Sequence, residues 1–200
     1  SLTHSELREL GYVDEDGWPA GPMGDLKGFR TLLLQNGSEE ARESWSGEYV
    51  LTYDGAADIN IFTENMLEID YSDNKIEFTM GKSSTIGLTV SEIDESDPIR
   101  NISLIEKKYL DYFEVGGIFN PEWISLIEDA RQFRFMGWIV TNGAETAEWS
   151  DRPQSTDATY AYRGVPIEII VQLANEVGVD PWITIPHLAS DEYIANIASY

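Results

Sequence analysis

Two apolar segments decide the predicted fold: FRFMGWIV at residues 133–140 and WITI at residues 182–185. The first is almost continuously apolar, which is typical of a strand covered on both faces, and Pro186 ends the second. Between them, Pro166 stands where a first helical residue is expected, and apolar residues recur at helical spacing up to Gly178. A strand, a crossover helix and a second strand predict a βαβ unit, in which the two strands are parallel.

We expect a ligand site at the carboxyl ends of these strands, because ligands collect at that edge of parallel sheets. The segments that follow the strands are 138–149 and 186–191. His187 comes directly after the second strand, where it either binds a hydroxylated ligand or caps the next loop. No further residues at metal-ligand spacing accompany it, and the chain has no nucleophile elbow. A metal site or a serine nucleophile is therefore not predicted.

The long connection 141–163 combines carboxylates with aromatic residues, and unpatterned loops of this length are usually functional or mobile. Aromatic rings stack on the apolar faces of sugars and carboxylates bind their hydroxyls, but an ordinary acidic surface loop has the same composition. A third interpretation is that Trp149 and Arg152 fix the loop, with Arg152 paired to a carboxylate. The candidate substrate-binding residues are Trp138, Asn142, Glu145, Trp149, Asp151, His187 and Asp191.

Catalytic residues are not assigned. Glycoside hydrolysis usually needs two facing carboxyl groups. The Asn175-Glu176 pair lies in the last turns of the predicted helix rather than at a strand end. Asp191 is also typical of the first turn of a closing helix.

Upstream, residues 45–107 alternate polar with apolar side chains between short turns, which predicts an antiparallel sandwich or small barrel. The predicted strands are 48–53, 58–62, 66–71, 75–80, 86–90 and 99–105. Asn120-Pro121-Glu122 has the cap, the proline and the acid of a helix start. We therefore predict a mixed α+β and α/β chain. Its parts are an N-terminal helix and loop segment (1–44), a β-sandwich module (45–107) and a βαβ segment of a partial TIM-like (β/α) barrel (108–200).

The charge balance is unusual, with 36 acidic and 13 basic residues and a net charge of −23. Such a surface repels phosphate groups, so neither nucleic acid nor an anionic membrane is an expected partner. Its acidity fits either solubility in salty water or calcium binding through carboxylates. Asp14-Glu15-Asp16-Gly17 resembles the start of a calcium loop but lacks its later ligands, so a solvated turn anchored by Trp18 is the preferred interpretation.

Cysteine is absent, which excludes disulfides and thiol nucleophiles. No apolar run approaches the roughly 20 residues that span a bilayer, so membrane insertion is not predicted. The sequence starts without methionine and stops inside a helical pattern at Tyr200, and we expect both ends to be cut.

Several segments resemble one group of large secreted bacterial proteins. They are GVPIE, LANE and DPWITIPHLASDEY within 164–193, RFMGW at 134–138, TN at 141–142, WSDRP at 149–153 and GYVDEDGWP at 11–19. Those proteins have a glycosidase-like (β/α) barrel, often fused to cellulose-binding or haemolysin-type calcium-binding modules. The resemblance implies that the chain is secreted and carries barrel strands two and three. A first strand would then precede Ser1 and an Asn-Glu acid/base would follow Tyr200.

That resemblance makes Trp138, Asn142 and His187 substrate-side positions. It also implies that the rest of the barrel, or a second chain, completes the fold. The expected function is to bind an extracellular polysaccharide and, in a complete barrel, to hydrolyse it. Two alternatives stay open: a non-catalytic glycan-binding or adhesin module, and a calcium-stabilised structural domain.

Overall fold

The computed structural model describes residues 2–20, 24 and 26–200. It divides into two units, Ser1–Ile118 and Phe119–Tyr200. Each unit has a hydrophobic core of its own.

The first unit is built mainly of antiparallel strands. Its strands are β1 (Phe29–Gln35), β2 (Gly47–Asp54), β3 (Asp58–Thr63), β4 (Met66–Ser72), β5 (Lys75–Met80), β6 (Thr85–Ser91) and β7 (Arg100–Glu106). Its helices are α1 (His4–Glu9), α2 (Glu39–Ser44), a 3₁₀ turn (Lys107–Tyr109) and α3 (Leu110–Glu114). Within the described residues, one sheet has the order β1-β6-β3 and the other the order β4-β5-β2-β7. All neighbouring strands in both sheets are antiparallel.

The buried faces of the two sheets share one core. Leu51 and Ile76 from the four-stranded sheet belong to the same buried cluster as Ile86 and Leu88 from the three-stranded sheet. Alternation explains this, because every second residue of a strand points to the same face. The result is a sandwich-like arrangement in which each strand predicted between residues 45 and 107 is present, with ends displaced by at most one residue.

The strand β1 was not predicted. It lies in the segment expected to hold only a helix and loops, and it pairs with β6 at the edge of the three-stranded sheet. Its run Thr31-Leu32-Leu33-Leu34 does not alternate, and Leu32 and Leu33 are exposed. The pattern that revealed the other strands is therefore missing here.

The second unit places two short parallel strands beside helices. Its elements are α4 (Pro121–Ile127), β8 (Gln132–Arg134), a 3₁₀ turn (Trp149–Asp151), α5 (Ile167–Val177), β9 (Asp180–Trp182) and α6 (Asp191–Ala198). The predicted parallel pairing of the Phe133 and Trp182 segments is confirmed, with Arg134 opposite Trp182. Gly178 ends α5 in the left-handed conformation (φ 76°) that was expected of it. Asn120 caps α4, as its sequence predicted.

The prediction of a TIM-like barrel is wrong. The described residues form antiparallel sheets of three and four strands, and their only parallel pairing is β8 with β9. The strand predicted over 133–140 ends at Arg134, because residues 136–140 form turns that bury Ile139. The second strand lies at Asp180–Trp182 rather than 182–185. A continuous apolar run therefore corresponds here to turns, with Phe135 and Ile139 buried and Met136 exposed, an ambiguity that periodicity alone does not resolve.

The buried position of Tyr49 predicts that the first unit loses stability in alkali. Its buried ring stacks on Phe78 at 5.2 Å, and its hydroxyl donates a 2.7 Å hydrogen bond to the carbonyl of Trp45. Burial, assisted by the charge of Glu106, raises the pKa of Tyr49 to about 12 from the usual 10.0. A raised pKa means that the folded state favours the neutral phenol, so the stability it contributes is complete below pH 10 and is lost as pH rises through 12.

We therefore expect that Tyr49→Phe loses less stability than the wild type when the pH is raised from 10 to 12. At neutral pH the same variant should be less stable by about 1 kcal/mol, because the hydrogen bond is removed. Denaturant unfolding across the pH range measures both effects, with the exposed Tyr71→Phe as control. Parallel pH profiles for Tyr49→Phe and the wild type would contradict this assignment.

Candidate functional site

Two loop segments, 141–147 and 184–190, lie side by side beyond the carboxyl ends of β8 and β9. At one end, the hydroxyl oxygen of Thr141 lies 3.5 Å from the carbonyl oxygen of Thr184. At the other end, the N–H of Ser190 donates a 2.9 Å hydrogen bond to the carbonyl of Ala147. We call these two segments the loop pair. The two contacts show that its segments run in the same direction and approach each other at both ends, with an ordinary hydrogen bond between them at the Ala147–Ser190 end.

The loop pair carries polar side chains that are open to solvent. Asn142 and Glu145 are exposed on the first segment, and His187 is exposed on the second. Asp191, also exposed, begins α6 directly after Ser190. The structure thus brings His187 onto a segment adjacent to that of Asn142 and Glu145, although it is far from both in the sequence. An amide, a carboxylate and an imidazole together offer both donors and acceptors of hydrogen bonds.

Trp138 lies before the loop pair and takes part in packing. Its ring makes an edge contact with Phe135, with the ring centres 5.4 Å apart, and belongs to the margin of the core cluster. Its carbonyl accepts a 2.7 Å hydrogen bond from the N–H of Val165. The ring is therefore held by the core rather than standing free as a platform.

Trp149 and Arg152 hold the 141–163 loop against the helices, which was one of the interpretations left open by the sequence. The Trp149 ring meets Tyr193 edge-on at 5.4 Å, and the Arg152 guanidinium lies 4.3 Å from the centre of the Trp149 ring. Arg152 is also 3.2 Å from the carboxylate of Glu168 on α5. Asp151 accepts hydrogen bonds from the N–H of Glu148 and the hydroxyl of Ser150. These residues stabilise the loop.

A cavity of about 10 Å³ lies beside Arg152. Its other lining residues are Ile139, Pro153, Val165, Ile167, Ile170, Tyr193 and Ile197. A space of that size holds about one water molecule, so it does not admit a sugar. No carboxylate lines it, and it therefore lacks the facing carboxyl pair that glycoside hydrolysis uses.

The aspartate turn near the start of the chain uses its carboxylate internally. One oxygen of Asp14 accepts hydrogen bonds from the N–H groups of Asp16 and Trp18, and the other lies 2.8 Å from Arg100. Over residues 2–20, 24 and 26–200, no group of three or more histidine, cysteine, aspartate or glutamate side chains is placed to hold a metal ion. Calcium binding stays an untested alternative.

Trp182 is a surface aromatic residue that the sequence-based prediction missed. It is 52% exposed on β9, and the guanidinium of its cross-strand neighbour Arg134 lies 4.9 Å from its ring centre. It was expected only as the first residue of the second strand, and all three residues of β9 are exposed. Its position two residues before Thr184 places it next to the loop pair.

No known protein family, curated protein or solved structure matches the chain. None of the helices among the described residues is long and apolar enough to cross a membrane.

Proposed function

We propose that the chain is a secreted, non-catalytic module that binds a polysaccharide at the loop pair. The observation that carries the proposal is the close approach of the two segments at both ends, from Thr141–Thr184 to Ala147–Ser190. The two adjacent segments carry three exposed hydrogen-bonding side chains of different chemistry. Sugar hydroxyls both donate and accept hydrogen bonds, which suits this combination.

Trp182 supports the proposal by adding an aromatic surface next to these polar groups. Aromatic rings bury large apolar areas at little entropic cost, and the apolar faces of pyranose rings stack on them. Arg134, whose guanidinium lies over one face of the ring, adds hydrogen-bond donors and leaves the other face for stacking. An aromatic surface beside hydrogen-bonding side chains suits polysaccharide binding, and no pair of carboxyl groups is assigned to hydrolysis.

The charge of the chain narrows the class of glycan. A net charge of −23 repels polyanions, so we expect a neutral or amino-bearing polysaccharide. Soluble hydroxyethyl cellulose, a soluble chitosan and alginate are suitable probes in affinity electrophoresis. We expect the first or second to retard the protein and alginate to leave its mobility unchanged.

Variants of the loop pair test the location of the site. Removing both the amide and the imidazole in Asn142→Ala/His187→Ala should weaken polysaccharide binding about tenfold or more. Asn175→Ala/His4→Ala removes the same groups elsewhere and should bind as the wild type does. Trp182→Ala, compared with Trp123→Ala, tests the aromatic surface in the same assay.

Two results would refute the proposal. One is that none of the probes retards the wild-type protein. The other is that the loop-pair variant binds as tightly as its control. Circular dichroism of each variant would show whether a loss of binding comes from misfolding.

A further inference from the structure

The strand β4 extends beyond the core of the first unit. On β5, Phe78 and Ile76 face the core and are 3% and 1% exposed. Their direct cross-strand partners on β4, Ile69 and Tyr71, are 37% and 53% exposed. Directly paired residues lie on the same face of a sheet. The opposing sheet therefore covers β5 but leaves the apolar face of β4 open, with Leu67 in the adjoining bulge also exposed.

The other face of β4 is acidic. Glu68 and Asp70 alternate with the apolar residues and pair with Thr79 and Glu77 of β5. This face forms part of an open groove of about 360 Å³. The groove is lined by Glu48, Tyr49, Glu68, Ile69, Asp70, Glu77, Phe78, Thr79 and Lys107. The strand thus presents apolar side chains on one face and carboxylates on the other.

The outer edge of β4 has no strand partner among the described residues. Its run Met66–Ser72 contains neither proline nor lysine, two residues that proteins use to block strand addition, and its one bulge lies before Glu68, so that Glu68–Ser72 pairs regularly with β5. The unpaired N–H and C=O groups of such an edge can bind an extended chain, and side chains on alternate faces then select its sequence.

We propose that the outer edge of β4 binds an extended segment of another protein in which basic and apolar residues alternate. The apolar residues of that segment pack beside Ile69 and Tyr71, and its basic residues lie beside Glu68 and Asp70. A second copy of this chain is a poor occupant. Its own β4 would bring carboxylates next to carboxylates, and both copies carry a net charge of −23.

A dye-labelled peptide that alternates lysine with valine tests the proposal on the full chain by fluorescence anisotropy. Two further peptides serve as controls: one has the same composition with all lysines before all valines, and the other has glutamate in place of lysine. We expect binding of the alternating basic peptide alone, weakening with salt. Hydrogen exchange should slow at the amides of β4, because strand addition protects them.

Charge-reversed and apolar-to-polar variants locate the site. Glu68→Lys/Asp70→Lys should weaken peptide binding about tenfold, since two favourable cross-strand pairs become repulsive. Glu9→Lys/Glu95→Lys changes the net charge equally at exposed positions and should bind much more tightly than the β4 variant. Ile69→Ser/Tyr71→Ser should also weaken binding, whereas the exposed Leu126→Ser should not.

Any of three results would overturn the proposal: equal binding of the two lysine peptides, no binding of the alternating peptide, or protection of amides elsewhere than in β4. If the wild-type protein dimerises and the Glu68→Lys/Asp70→Lys variant changes that dimerisation, the occupant is a second copy of the chain instead. Sedimentation of the wild type and this variant measures that outcome.

Discussion

Ile170→Ala is expected to lower the free energy of unfolding of the second unit by about 2–5 kcal/mol. Ile170 lies in the middle of α5, has no solvent exposure and belongs to the core cluster with Leu173 and Phe135. Truncating it removes buried apolar surface and leaves a cavity that the neighbouring side chains only partly fill.

Denaturant unfolding followed by tryptophan fluorescence measures this loss. Ile194→Ala on α6 makes the same chemical change at an exposed position and should cost much less. Equal losses for the two variants would contradict the assignment of α5 as the helix that builds this core.

Asp157→Ala is expected to destabilise the second unit by about 2–4 kcal/mol, since it removes a buried carboxylate that pairs with a largely buried guanidinium. The Asp157 side chain is almost fully buried and lies 2.7 Å from Nη2 of Arg163. The same carboxylate accepts a hydrogen bond from the N–H of Gln154. One acid therefore joins both ends of the segment 154–163.

The exposed Asp129→Ala is the control, and urea unfolding is the measurement. Hydrogen exchange over 154–163 should also accelerate in Asp157→Ala, because the segment loses the contacts that join its ends. If Asp157→Ala and Asp129→Ala unfold at the same urea concentration, the ion pair contributes no net stability.

The strands of the first unit were predictable because one face of each sheet is buried. Alternation at Asp58–Phe62 and Lys75–Met80 reports that burial directly, and both strands are found where they were predicted. β1 was not predicted because its apolar residues do not alternate with polar ones: Leu32 and Leu33 are adjacent and both are exposed at a sheet edge.

The barrel was predicted wrongly because a continuous apolar run does not show whether the chain is extended or turns. Phe135 and Ile139 are both buried, but the chain between them turns instead of extending. The parallel pairing and α5 were predictable from their connection and from the Gly178 stop, which depend on local rules. The number of strands beyond this pair depends on long-range contacts, which these local patterns do not contain.

The candidate site was predictable in part. The rule that ligands bind at the carboxyl ends of parallel strands predicted that Asn142 and His187 lie near one another. The loop pair brings their segments together. Aromatic residues in an acidic loop serve equally to bind a ligand or to anchor the loop. Trp149 does the second, with Tyr193 and Arg152 as its partners. Composition alone does not distinguish these roles, because it does not show which ring faces are covered.

Residue-resolved NMR during titration with the polysaccharide that retards the protein tests the central claim most directly. If the loop pair binds the polysaccharide, amide signals should shift together at 142–145 and 187–191. These residues lie on the two segments that approach each other at the Thr141–Thr184 and Ala147–Ser190 contacts. Shifts confined to other surfaces, or to only one of the two segments, would contradict a glycan site at the loop pair.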